Sequence, residues 1–252
     1  MKELENLISE FEPIALSEMD SVNLMKRTDT KYVFGQEQLV PLIEGIRADY
    51  RVLEVNNVRI NQYRTLYFDT AAFDFYLMHQ NGKLNRNKVR FRKYVDSDVC
   101  FLEVKFKDNK GQTIKKRIKV EDFEQELSDE QRTFVNENAK VKKSLEPKLW
   151  NGFKRITFVN QEMKERLTID YDLIFEFEGH QMGLPNVVIA ELKQERINRN
   201  SPFAEMAKKL KIRDSRISKY CIGSALLNED LKHNRFKAKI LNLKKITDGL
   251  VA

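Results

Sequence analysis

Leu4, Leu7, Ile8 and Phe11 recur at helical spacing and predict a short amphipathic helix over 3–11. The period then shortens to two. KRTDTKYVFG (26–35) reads as a strand ending at Gly35, and Val40, Ile43 and Ile46 mark the helix that follows. RVLEVNNVRINQYRTLYFDT (51–70) reads as two strands joined by an Asn-Asn turn. A short helix is expected over 71–81, then strands over 86–95, 99–107 and 112–120, the last two joined by the turn DNKG. Residues 121–145 turn helical and highly charged. Strands resume at 153–160, 165–173, 174–178 and 186–195, and helices are expected over 201–212 and roughly 218–245. No Gly-Ser linker, low-complexity segment or repeat interrupts this order. The whole of 1–252 therefore reads as one α+β domain dominated by antiparallel strands, helical over 1–20 and 201–248.

Alternation within the strands segregates charge onto one face. In NKVRFRKY (87–94), Lys88, Arg90, Arg92 and Tyr94 share a face opposite Val89 and Phe91. Arg27, Asp29 and Lys31 share a face of the first strand. Glu103 and Lys105 oppose Leu102, Val104 and Phe106; Thr113, Lys115, Arg117 and Lys119 oppose Ile114, Ile118 and Val120. Arg155 and Thr157 oppose Ile156 and Phe158; Arg166, Thr168, Asp170 and Asp172 oppose Leu167, Ile169 and Tyr171; Glu191, Lys193 and Glu195 oppose Val188, Ala190 and Leu192. Each strand alone reads as part of a sheet with one solvated face. Together, with cations at alternate positions of five strands and few carboxylates among them, they read as a closed barrel with a polar, basic interior. Its apolar outside would be covered by the amphipathic helices.

Composition narrows this reading without redirecting it. Hydrophobic residues make up 41% and charged residues 33% of the 252, which fits a globular chain. A net charge of +7, from 45 basic and 38 acidic residues, predicts affinity for polyanions in general. Cys100 and Cys221, with His79, His180 and His233, have neither zinc-site nor disulfide spacing. The N-terminus lacks the continuous apolar core of a signal peptide, and no run is long enough to span a bilayer. A location in the cytoplasm, or on the cytoplasmic face of a membrane partner, is expected. Converging arginines and lysines suit a chain of phosphates, and a carboxylate or two among them can hold Mg²⁺ or Mn²⁺ shared with phosphate oxygens. No Ser-His-Asp arrangement is visible, and phosphoryl transfer needs none.

RTDTKY, LYFDT, KVRFRKY, FLEVKFK, IAELK and RISKY occur in an order that resembles the VTC domain, the catalytic domain of vacuolar transporter chaperone proteins and of bacterial polyphosphate polymerase-like proteins. The resemblance runs from about residue 12 to 227. That family belongs to the triphosphate tunnel metalloenzymes, which often carry E-x-E-x-K on the first strand; here Arg27-x-Asp29-x-Lys31 stands there, a variant associated with the VTC branch. The resemblance implies a tunnel of antiparallel strands that transfers the γ-phosphate of ATP to a growing polyphosphate chain with a divalent metal. Lys31, Arg90, Arg92, Lys105, Lys115, Arg117, Arg155, Arg166 and Lys193 match its basic tunnel residues, with Lys88 at the mouth and Lys219 as a phosphate-chain contact. Among these, Lys31, Arg90, Arg92, Lys105, Arg155 and Lys193 are the expected catalytic set. Glu191 matches the metal-binding glutamate, and Glu103 is a second acidic candidate.

Two other functions share these features. A triphosphatase would use the same cations and metal with water as acceptor; the single acidic residue on the Arg-x-Asp-x-Lys strand favours the polymerase. A non-catalytic module binding RNA or preformed polyphosphate would have no need of Glu191, and an RNA binder should interleave aromatics with cations on one face. Phe91 and Phe106 lie on the opposite faces, so no nucleic acid partner is expected. Tyr32, Tyr67 and Tyr94 read as packing residues, and the basic stretch 232–245 as a solvated helix face. Translocating a polyphosphate product would require a separate membrane protein.

Overall fold

In the computed structural model, which describes residues 2–22, 27–139, 141 and 143–248, the chain runs through α1 (Lys2–Ser9), β1 (Pro13–Ala15), β2 (Thr28–Gly35), α2 (Leu39–Gly45), β3 (Arg51–Glu54), β4 (Ile60–Asp69), α3 (Asp74–Gln80), β5 (Arg86–Tyr94), β6 (Val99–Lys107) and β7 (Thr113–Val120). It continues through α4 (Asp129–Ala139), β8 (Glu146–Asn160), β9 (Glu165–Phe177), β10 (His180–Leu184), β11 (Val187–Gln194), α5 (Pro202–Lys209), α6 (Lys219–Leu227) and α7 (Lys237–Thr247). Among the described residues of 1–20 the chain is α-helical over Lys2–Ser9 and 3₁₀-helical from Leu16 onward, and Pro13–Ala15 between them pairs in parallel with β3. The Asn-Asn turn forms as expected, with φ of 50° at Asn56 and 62° at Asn57, and the Val55 and Val58 amides and carbonyls bonded reciprocally at 2.9 and 3.0 Å. Its two strands then part. β3 pairs with β1 and β8, whereas β4 lies between β8 and β5.

All eleven strands join one sheet whose main path is β2-β11-β9-β8-β4-β5-β6-β7. Laid flat at about 4.8 Å per strand, β2 and β5 would lie roughly 24 Å apart. Yet Lys31 on β2 donates to the Ile217 carbonyl (3.2 Å) and Lys88 on β5 donates to the adjacent Ser218 hydroxyl (3.1 Å). The sheet is therefore curled into a tunnel with the basic faces inward. Among the described residues the two end strands, β2 and β7, are not bonded to one another, so the curl stops short of the closed barrel that the pattern predicts. β7 is exposed along most of its length.

The apolar faces are covered on the outside. Leu4, Leu7 and Ile8 of α1, Leu39, Leu42 and Ile43 of α2 and Phe203 of α5 pack on Phe34, Ile156, Phe158, Leu167, Ile169 and Leu192. Val135 and Ala139 of α4 cover Leu66, Val89, Phe91, Leu102 and Val104. Each contact strip is fully dehydrated, which is what holds helices to a sheet of this kind. No helix among the described residues is long and apolar enough to cross a membrane.

One helix goes inside. A bulge in β9 gives it an extra residue against β8, where the pairing passes from Gly152–Ile174 to Lys154–Tyr171, and Asp172 takes φ 52° there. The bulge reverses which residues face inward. On one side of it Arg166, Thr168 and Asp170 face the tunnel; on the other Leu173 and Phe175 do, and they pack with Leu149, Val187 and Ile189 around Tyr220, Cys221, Ile222 and Ala225 of α6. Gly223 permits the contact, because a Cβ there would lie 2.4 Å from Phe175 and 2.8 Å from Leu149. Asp172, expected beside Asp170, is instead turned out and pairs with Lys154 at 3.0 Å. A polar compartment thus meets an apolar socket within a single strand.

Candidate active site in the tunnel

Three carboxylates stand on the inner face, each between two cations. Glu103 is directly across from Arg90 on β5 and accepts two bonds from it, from Nε at 2.9 Å and Nη2 at 2.7 Å; its other oxygen pairs with Lys115 of β7. Asp170 is directly across from Arg155 on β8, which donates to both its oxygens at 2.5 and 2.7 Å, and it also accepts from Lys219 at the start of α6. Glu191 is across from Lys31 and meets it at 3.6 Å and Lys193 at 3.2 Å, within ion-pair distance of both. Burial opposes the charge of all three acids. The neighbouring cations outweigh it, chiefly Arg90 and Arg92 for Glu103, Arg155 and Lys219 for Asp170, and Lys193 and Lys31 for Glu191, and hold each carboxyl well below the usual carboxylate range.

Among the described residues Arg92, Arg166 and Lys105 have no such partner. Arg92 is 8% exposed, and its Nε and that of Arg166 are buried without a hydrogen-bond acceptor among the described residues. Lys105 forms no ion pair among the described residues; the adjacent Arg90, and then burial, hold its pKa well below that of a free lysine. Lys115 and Lys219 are each lowered to about 8, by burial first, against the pull of Glu103 and Asp170. Buried charge without a counter-ion is costly. The inner face is thus short of negative charge.

The curl brings together Lys31, Lys88, Arg90, Arg92, Lys105, Arg155, Arg166, Lys193 and Lys219, which come from β2, β5, β6, β8, β9, β11 and α6. Lys105, on β6, contributes to the field at Glu191 on β11, five strands away along the sheet. Lys115 and Arg117 share that inner face but sit on exposed β7. Asp29 pairs with Arg27 at 3.1 Å at the rim. Glu103 is differently placed from Glu191. It is fully buried with both oxygens held by cations, so a metal could reach it only by displacing Arg90 or Lys115. Glu191 retains 21% side-chain exposure and longer contacts. Among the described residues no three His, Cys, Asp or Glu side chains cluster as a metal cage.

Of the aromatic lining, the strand pattern puts only Tyr94 on the cationic face, as a packing residue. Phe153, Tyr63, Tyr94 and Phe101 are successive neighbours across β8, β4, β5 and β6. Arg155 lies over Tyr63 (4.9 Å), Arg92 also faces Tyr63 (5.7 Å), Lys219 lies over Phe153 (4.4 Å), and Arg117 lies over Phe101 (4.4 Å). Tyr67 accepts a bond from Arg90 Nη1 at 3.2 Å, a polar role beyond the packing expected of it. Tyr32 does pack, edge-on to Phe203. Phe91 packs on the outer face as expected, but aromatics do interleave with the cations on the inner face, which the absence of an RNA-type pattern did not anticipate. The signal was present in FLEVKFK, where Phe101 has the same parity as Glu103 and Lys105.

Several solved structures are similar in shape. A putative adenylyl cyclase, HpAC1 from Hippeastrum, described as having a dominant triphosphatase activity, is 15% identical with a TM-score of 0.49 over 83% of this chain and 100% of that one. A putative adenylate cyclase from Bacillus halodurans is 13% identical (TM-score 0.48, 77% and 96%), and a conserved hypothetical protein from Pyrococcus furiosus is 14% identical (0.44, 78% and 99%). No curated protein matches the chain in sequence. The family model of the VTC domain matches residues 26–228, from just before β2 to the end of α6 and so across β2 to β11, and the chain belongs to the VTC domain family.

Proposed function

We propose that the tunnel is the active site of a polyphosphate polymerase, which moves the γ-phosphoryl group of ATP onto the end of a phosphate chain. The observation that carries this reading is the shortage of counter-ions. Among the described residues Arg92, Lys105 and Arg166 lie on the inner face with no ion-paired carboxylate, beside Arg90 and Arg155, whose carboxylates already orient them. A chain of phosphates supplies the missing charge, and guanidinium forks held in fixed orientation suit its oxygens.

In the reaction the bond between the γ-phosphorus and the β,γ-bridging oxygen breaks, a bond to a terminal oxygen of the acceptor chain forms, and ADP leaves with the bridging oxygen and its electron pair. The acceptor oxygen is already anionic, so no general base is needed. Arg90 and Arg155 are pinned by Glu103 and Asp170 and present their remaining donors to the transferring oxygens without reorganisation. Lys219 and Lys31, drawn in by α6, complete the field. The donor set fits a divalent ion of the Mg²⁺ or Mn²⁺ type. Glu191 is ionised and loosely held, and a single carboxylate together with phosphate oxygens and water is a usual environment for such an ion. When bound, the ion would supply further neutralisation of phosphate charge.

Glu103 and Asp170 are both committed to cations of the protein. That leaves few acidic groups to activate water, and this favours phosphate over water as the acceptor. The test is incubation with ATP and Mn²⁺ or Mg²⁺, resolving products on a polyphosphate gel beside a free-phosphate assay, with Glu191→Ala as control. A ladder of chains that is lost in the variant is expected. Free phosphate without a ladder would replace polymerase by triphosphatase.

A further inference from the structure

Phosphate has no affinity for the face of an aromatic ring, which carries the negative part of the ring quadrupole. Yet an unbroken band of rings crosses the inner face. Phe153 stacks on Tyr63 (5.2 Å, 9° between planes), Tyr63 meets Tyr94 at 4.9 Å, and Tyr94 meets Phe101 edge-on at 6.0 Å. Phe153 and Tyr63 are buried, whereas Tyr94, the last residue of β5, and Phe101, near the start of β6, are half-buried, so the band is open where these two strands reach one end of the tunnel. That end is the one away from α6: Tyr94 is six residues along β5 from Lys88, which holds Ser218, a distance of roughly 20 Å. There the guanidinium of Arg117 lies over Phe101 at 4.4 Å, the arrangement in which arginine and a ring together present a flat, polarisable surface.

A group that fits this surface is planar and uncharged and must be attached to phosphates. We propose that Tyr94, Phe101 and Arg117 form a shelf for the base of a nucleoside triphosphate at the mouth opposite α6, with the triphosphate pointing inward. This rests on the tunnel being a triphosphate site. Along β6, Glu103 with its bound Arg90 is two residues from Phe101 and Lys105 is four, roughly 7 and 14 Å further in, so the first phosphates meet cations within a ribose length of the shelf. Stacking uses the face common to all bases. ATP, GTP and CTP are thus expected to bind alike, and inorganic tripolyphosphate to gain nothing from the shelf.

The test compares the dissociation constants of ATP and inorganic tripolyphosphate for the intact protein, Phe101→Leu and the conservative Phe101→Tyr. Phe101→Leu should weaken ATP by about 5- to 100-fold, leave tripolyphosphate within about 2-fold, and be rescued by Phe101→Tyr. Emission of 1,N6-etheno-ATP gives a second readout, expected to change on binding to the intact protein and not on binding to Phe101→Leu. Equal loss of both ligands would make Phe101 a support of the tunnel wall, and loss of neither would leave it without a role in binding; either overturns the shelf while the triphosphate site stands. Binding of neither ligand by the intact protein would overturn the triphosphate reading and the shelf with it.

Discussion

Glu103 and Glu191 occupy equivalent places in the pattern, each on the inner face of a strand and each beside two cations, yet the structure treats them oppositely. Glu103 is fully buried and pins Arg90 through two hydrogen bonds; Glu191 keeps 21% exposure and stands 3.2 and 3.6 Å from its lysines. The difference follows from the partner. A guanidinium fork directly across the strand brings two rigidly spaced donors onto the carboxylate, here both onto Oε2, whereas ammonium groups on flexible stems meet it as point charges. The first arrangement fixes a side chain in position. The second leaves a carboxylate that can exchange partners when a ligand arrives. Reading roles from charge alone gives both residues the same duty, and the structure divides it between them.

The contrast is broken most severely by Glu103→Gln. Arg90 and Lys115 would lose their counter-ion inside the wall, and the variant is expected to be about 3–5 kcal/mol less stable by denaturant unfolding. Added tripolyphosphate should recover part of that loss, since it supplies the charge removed. Glu191→Gln reverses the pattern. It should lose less stability than Glu103→Gln, because Glu191 is partly exposed and its contacts are longer, while turnover of ATP at saturating metal falls roughly 100- to 1,000-fold. If both variants lose stability equally, the distinction between them fails.

Alkaline titration sharpens it further. Lys115 and Lys219 titrate near 8 in the folded protein against a reference of 10.5, so between those values the unfolded chain binds more protons. Stability of the ligand-free protein should therefore rise as pH climbs from about 8 to 10.5. Binding of tripolyphosphate should weaken over the same range, because it needs both ammonium groups charged. Calorimetry at pH 8.5 in buffers of different ionisation enthalpy should show proton uptake, on the order of one per ligand. Tyr67→Phe gives the smallest effect. Removing the acceptor of the 3.2 Å bond from Arg90 should cost about 1 kcal/mol, with Glu103 still holding the guanidinium.

The rows of cations were legible because strand alternation needs only one residue in two, and RTDTKY, KVRFRKY and IAELK state it directly. Most strands and helices fell within a few residues of expectation for the same reason. Other features depend on contacts between distant segments. Nothing local tells that Glu103 faces Arg90 and not a free lysine, since this is a matter of register between β5 and β6. The bulge at Asp172 has no glycine to announce it, and β10, with its exposed His180 and Gln181, lacks an apolar alternation. YCIGSALL of α6 is apolar all round, the mark of a helix buried on every side. Read as part of one long segment over 218–245, it was merged with the exposed basic stretch behind it, and its place inside the sheet was lost.

The extra residue in β9 has a consequence for how this chain can vary. It acts on the strand as an insertion acts on a reading frame: every side chain beyond it swaps between the two faces, although no residue identity changes. Deleting it would carry Ile174 inward in place of Leu173 and turn Phe175 to solvent, taking the seat from under α6 and, through Lys219, a partner from Asp170. Substitutions along β9 can then accumulate one at a time, whereas a change of length by a single residue is felt at every position that follows.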